Sequence, residues 1–79
     1  MMITVATVRF TFTYRGFELT TDLTSAFRNH SAAQTWAEDY DERKLEAFKQ
    51  AEESYDYSYD FTIDNFELDF ISLQDLYLN

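Results

Sequence analysis

Asp56, Ser58 and Asp60 alternate with tyrosines in the C-terminal half, Glu67 and Asp69 follow with the same spacing of two, and Glu38, Asp39, Asp41 and Glu42 flank Tyr40. Carboxylates in such number can hold a divalent cation, act as a general acid and base, or present a field of negative charge. Ca²⁺ takes about six to eight oxygen ligands, and the Asp-x-Asp-x-Asp-Gly loop that turns a chain around it has no counterpart here. Glycoside hydrolysis by paired carboxylates needs a cleft, and a 79-residue chain that must pack eight Phe, six Tyr and one Trp has little volume for one. His30 is the only imidazole and there is no Cys. A hydrolytic triad would have to combine His30, one of Ser25, Ser31, Ser54, Ser58 or Ser72, and some carboxylate, with no motif joining them. His30 instead reads as a loop or near-cap residue. The expectation is a protein that is not an enzyme and needs no metal and no cofactor.

The third option fits the charge distribution. Thirteen of the fifteen acidic residues follow residue 30, against Arg43, Lys44 and Lys49, whereas Arg9, Arg15 and Arg28 nearly balance Glu18 and Asp22 before it. So one-sided a field attracts a basic protein surface and repels nucleic acid and anionic membrane. The expected partner is therefore the basic surface of a nucleic-acid-binding protein, with no direct nucleic-acid binding and no membrane association. Without Cys, neither disulfides nor thiolate zinc can support the fold. The cytoplasm is the expected location, since the N-terminus Met1-Met2-Ile3-Thr4 has no basic region leading into an apolar run.

Positioning those carboxylates requires a folded scaffold, and the aromatic content argues against disorder. Val8, Phe10, Phe12 and Tyr14 alternate with Arg9, Thr11 and Thr13, which predicts a strand. A two-residue turn at Arg15-Gly16 sets Tyr14 against Phe17, Phe12 against Leu19, Phe10 against Thr21 and Val8 against Leu23. The same register brings Arg9 opposite Asp22 and Thr11 opposite Thr20, pairings that stabilise cross-strand neighbours. A second hairpin, over about residues 55–72, is expected to turn at Asp64-Asn65, where the apolar parity changes from Tyr55, Tyr57, Tyr59, Phe61 and Ile63 to Phe66, Leu68 and Phe70. A single bulged strand is the rival explanation.

Ser31-Ala32-Ala33-Gln34 has the form of a capping box, and Ala33, Trp36, Ala37, Tyr40, Ala47, Phe48 and Ala51 share one stripe at helical spacing. One helix over about residues 31–53 follows, although the run Glu38 to Glu42 offers a break with Asp41 capping a second helix. Leu73, Leu76 and Tyr77 have the spacing of a short helical turn. The expected fold is α+β: a single domain, a two-layer ββαββ arrangement, an antiparallel or mixed sheet with one helix on its aromatic face.

In that fold the solvent face of the second hairpin carries Asp56, Asp60, Glu67 and Asp69, with Asp60 opposite Asp69. Like charges across a strand pair are destabilising, so stability alone does not call for them. Neighbouring strands lie about 4.8 Å apart and alternate residues about 6.6 Å, comparable with the phosphate spacing of a nucleic-acid strand. This array, extended by Glu38, Asp39, Asp41, Glu42 and Tyr40, is the expected partner-binding surface; the plainer reading is a solvated face that keeps an aromatic-rich domain soluble. In overall character the chain resembles the small acidic inhibitors of bacteriophages and mobile elements, including anti-CRISPR proteins and DNA mimics. The resemblance implies stoichiometric occlusion of a nucleic-acid site. The alternative is an acidic adaptor held by an aromatic patch, and a free edge strand leaves room for a homodimer.

Overall fold

The computed structural model describes residues 1–55 and 63–78. Strand β1 (Met2–Tyr14) and strand β2 (Phe17–Phe27) form the expected antiparallel hairpin in the expected register, including Arg9 opposite Asp22 and Thr13 opposite Glu18. Its turn needs positive φ at both central residues, and Arg15 and Gly16 adopt 50° and 81°. Arg9 grips Asp22 with two hydrogen bonds, Nε to Oδ1 at 2.7 Å and Nη2 to Oδ2 at 2.9 Å.

The chain then forms α1 (His30–Glu38) and α2 (Tyr40–Ser54) rather than one helix. Asp39 breaks the run with ψ of 79°. In an unbroken helix the Trp36 carbonyl would accept from Tyr40 N–H. Here it accepts from Arg43 Nη1 at 2.9 Å and from Asp39 N–H at 3.4 Å, so a side chain supplies what the break removes. Asp41 and Glu42 sit in the first turn of α2, where the exposed N–H groups favour negative charge. The cap of α1 also differs from expectation: Asn29, not Ser31, accepts from Ala32 N–H at 3.2 Å.

Strand β3 (Asp64–Tyr77) returns along the free side of β1, antiparallel, and among the described residues the sheet has three strands in the order β2-β1-β3. Asp64-Asn65 is therefore not a hairpin turn. Thr13 faces Asp64 while Thr11 faces Glu67, so β3 carries one extra residue there, and Asn65 has φ of 56° within this bulge. A second bulge follows, because Phe10 faces Leu68 while Arg9 faces Phe70, leaving Asp69 without an opposite residue. Within the described residues, β3 bulges at Asn65 and again at Asp69. Tyr55 closes α2, and the expected partner strand lies mainly in 56–62, outside the described residues. Nor do Leu73, Leu76 and Tyr77 form a helical turn: they pair with Ala6, Ile3 and Met2, since a short apolar run takes whichever structure its neighbours can hydrogen-bond.

The result is an α+β fold with both helices on one face of the sheet. Thr4, Ala6, Val8, Phe10 and Phe12 are buried under them, whereas the alternate residues of β1 are only partly covered. Ala33, Ala37, Ala47 and Ala51 are buried from the helix side, small enough to let the layers approach closely. Tyr40 and Phe48, expected on that stripe, remain 42% and 37% exposed, and Arg43 takes the buried position between Tyr40 and Ala47.

Candidate functional site

Glu38, Asp39, Tyr40, Asp41 and Glu42 are brought together at the α1–α2 junction, and all five are exposed. Glu67 and Asp69 are exposed on β3, and Asp56 and Asp60 lie outside the described residues. The expected pairing of Asp60 with Asp69 thus falls outside them too. Within the described residues Asp69 occupies a bulge, and Phe70 and Ile71 are consequently exchanged between faces. Phe70 lies under the Arg9 guanidinium at 4.8 Å on the side away from the helices, while Ile71 reaches the helix side and lines a pocket with Glu38 and Tyr40. The bulge that removes Asp69 from the expected array therefore places β3 beside the acidic junction.

Among the described residues the ion pairs are Arg9–Asp22 and Arg43–Glu46, and His30 contacts Asp75 through its Nδ1. No cation is paired with Glu38, Asp39, Asp41, Glu42, Glu67 or Asp69 among them; Glu38 accepts only from Gln34 at 3.1 Å, and Lys44 lies over the Tyr40 ring at 5.5 Å. Among the described residues no three of His, Cys, Asp or Glu gather closely enough to hold a metal ion, and no helix is long and apolar enough to cross a membrane.

The pocket at this junction measures about 120 Å³. Val8, Phe10, Ala37 and Arg43 are its buried walls, and the exposed Glu38, Tyr40, Leu68 and Ile71 surround its mouth. Arg43 is only 5% exposed; Nη2 bonds Glu46 at 2.6 Å, its guanidinium stacks 4.6 Å from the Trp36 ring, and Nε has no hydrogen-bond partner among the described residues. Sequence reasoning missed Arg43, Leu68 and Ile71. Arg43 was findable, because residues 36, 40, 43 and 47 follow helical spacing, but a charged residue is rarely assigned to a core stripe.

His30 is the first residue of α1, and its Nδ1 lies 3.0 Å from Asp75 Oδ1, which also accepts from buried Thr4 at 2.6 Å. The Thr4 and His30 contacts hold the Asp75 carboxyl below its ordinary value, as the Arg9 hydrogen bonds do for Asp22. Arg9 is raised in turn, by Asp22 first and also by Asp69. A carboxylate whose folded value is depressed adds stability above its unfolded value and loses it as pH falls through the folded one. Thermal melts should therefore show a loss concentrated below the ordinary aspartate value of 3.8. D22N/D75N should lack that component, and an equally steep loss in the variant would assign it elsewhere.

Comparison with protein-family models, with curated proteins and with solved structures finds no match to this chain.

Proposed function

We propose that the protein is a stoichiometric acidic inhibitor that occupies the basic, nucleic-acid-binding surface of a partner protein or complex. The observation that supports this reading is the α1–α2 junction, where four exposed carboxylates, unpaired with any cation among the described residues, flank one exposed tyrosine in sequence. An inhibitor of this kind competes with the polyanion for the Lys and Arg side chains that otherwise neutralise phosphate. Its main surface is the helix junction together with Glu67 and Asp69, rather than a flat sheet array.

The test is capture from nuclease-treated bacterial lysate by tagged wild type, E38Q/D39N/D41N/E42Q and E67Q/D69N, at low and high salt. The wild type should retain nucleic-acid-binding proteins that added DNA displaces and high salt releases, because exposed charge pairing is screened. The junction variant should retain about a tenth as much or less, and E67Q/D69N should show a smaller loss. Retention of the same partner by the junction variant at high salt would sink the reading.

The adaptor reading has one observation in its favour. Leu45, Phe48 and Phe66, flanked by Asp41 and Lys44, line an open groove of about 360 Å³. Salt-indifferent capture that Phe48→Ser abolishes would favour it.

A further inference from the structure

We infer that the outer edge of β3, from Phe70 to Tyr77, pairs antiparallel with the same edge of a second copy of this chain, joining the two sheets across a two-fold axis. The two edges of the sheet differ. On β2, Gln50 Nε2 donates to Asp22 O at 2.8 Å and to Thr21 Oγ1 at 2.7 Å, and the charged Glu18 and Asp22 are exposed. A covered carbonyl and exposed charges are the usual guards of an edge strand. The stretch from Phe70 to Tyr77 has no such guard: it contains no Gly, pairs without a bulge with Met2 to Arg9, and carries one charge, Asp75, which is held by Thr4 and His30.

The two-residue hairpin closes on Tyr14 and Phe17, so the even residues of β1 exchange hydrogen bonds with β2 and the odd ones with β3. Ile71, Leu73, Asp75 and Tyr77 face even residues, and their N–H and C=O groups therefore point out of the sheet. Among the described residues no strand pairs with them. Residues 56–62 join Tyr55, whose ring meets Tyr14, to the start of β3 opposite Thr13; so short a link, out and back, extends about 14 Å, whereas Ile71 lies about 17 Å and Leu73 about 24 Å along the strand. The side chains select a strand as the occupant. Phe70 and Leu76 are exposed on the open face of the sheet, and Ile71 and Tyr77 are exposed on the helix side. A partner stacked on either face would cover one of these rows, but a strand alongside covers both. Self-complementarity selects the second copy. Antiparallel pairing centred on Gln74 sets Ile71 against Tyr77 of the second copy and Phe70 against its exposed Leu78, and it uses all four outward residues, for about eight backbone hydrogen bonds. The same patch of each copy meets the other, as a two-fold interface requires. Glu38 lines a pocket with Ile71, and the two Ile71 positions lie about 20 Å apart in this register, beyond the Debye length of about 8 Å, so the acidic junctions do not oppose the contact.

Sedimentation equilibrium of the full chain, from micromolar to millimolar concentration, should show a monomer–dimer equilibrium. It should tighten with salt, which screens the repulsion between two chains of net charge −9, whereas the proposed acidic docking weakens with salt. I71K/Y77K should weaken dimerisation by about tenfold or more, because lysine on an edge disfavours strand addition. Phe17→Lys, at an exposed position of β2, should leave it within about twofold of wild type. A second measurement does not depend on those variants. In Gln74→Cys the two thiols face each other across the axis in a pair without hydrogen bonds, with Cα atoms about 4.5 Å apart, close enough for a disulfide. The chain has no other Cys, so mild oxidation should cross-link Gln74→Cys and not Ser72→Cys, whose two copies lie about 14 Å apart on the same face. A monomer at every concentration, a dimer unmoved by I71K/Y77K, or equal cross-linking of the two cysteine variants would each overturn the pairing.

Discussion

Phe10→Ala is expected to lower the free energy of unfolding by about 3–5 kcal/mol, the range for truncating a fully buried aromatic side chain. Phe10 is 0% exposed on the middle strand. Its ring stacks on Phe66 of β3 at 5.2 Å and meets Tyr40 of α2 at 6.1 Å, so one side chain joins the sheet to both later elements. Relaxation cannot readily close the hole, because the surrounding alanines have no side chain to extend into it. A domain of this size has a total stability near the lower end of about 5–15 kcal/mol, and each kcal/mol shifts Tm by about 4–8 °C. Urea denaturation followed by circular dichroism should show the midpoint falling by more than half. Phe17→Ala, at a position 70% exposed, should stay within about 0.5 kcal/mol of wild type. Similar losses from both substitutions would mean that Phe10 is not the centre of the core.

Arg43→Ala and Arg43→Met are expected to diverge. The alanine variant should lose about 2–4 kcal/mol, because it opens a cavity against Trp36; both variants withdraw Nη1 from the Trp36 carbonyl, which still accepts from Asp39 N–H, so the difference between them reads the cavity. The methionine variant should lie within about 1 kcal/mol of wild type or above it, because a buried ion pair is often no better than an apolar side chain of similar volume. Nε, buried with no hydrogen-bond partner among the described residues, strengthens that expectation. Trp36 is the only tryptophan, so its emission reports on this contact during chemical unfolding. Equal destabilisation in both variants would show that charge and hydrogen bonding at Arg43, rather than its volume, hold the two helices together.

The two halves of the chain differ in how far they can be read. The first hairpin was legible to the residue, because Gly16 marks the turn and a two-residue loop leaves one register for Tyr14, Phe12, Phe10 and Val8. The second region has no such marker. Its parity change at Asp64-Asn65 reads locally as a turn more readily than as a bulge, whereas pairing with β1 makes both residues part of β3 with a bulge at Asn65. The helix break was visible as an acidic run, yet the stabilisation of that break by Arg43 was not. A contact across the kink depends on a side chain that composition assigns to solvent.

For the candidate site, composition alone placed the carboxylates near Tyr40 and identified the excess of negative charge. Residue order also determined the first strand, whose alternating pattern buries Val8, Phe10 and Phe12 on one face, while its central place in the sheet came from the tertiary structure. Only the tertiary structure decided which acids share a surface and what lies between them. The bulge at Asp69 turns Ile71 toward the helices, and the break at Asp39 lets Arg43 fold back beneath Trp36. Both are single-residue departures from regular geometry. Local periodicity can suggest such departures, as the acidic run did, but it does not decide them, because their cost is offset by contacts formed only in the folded chain.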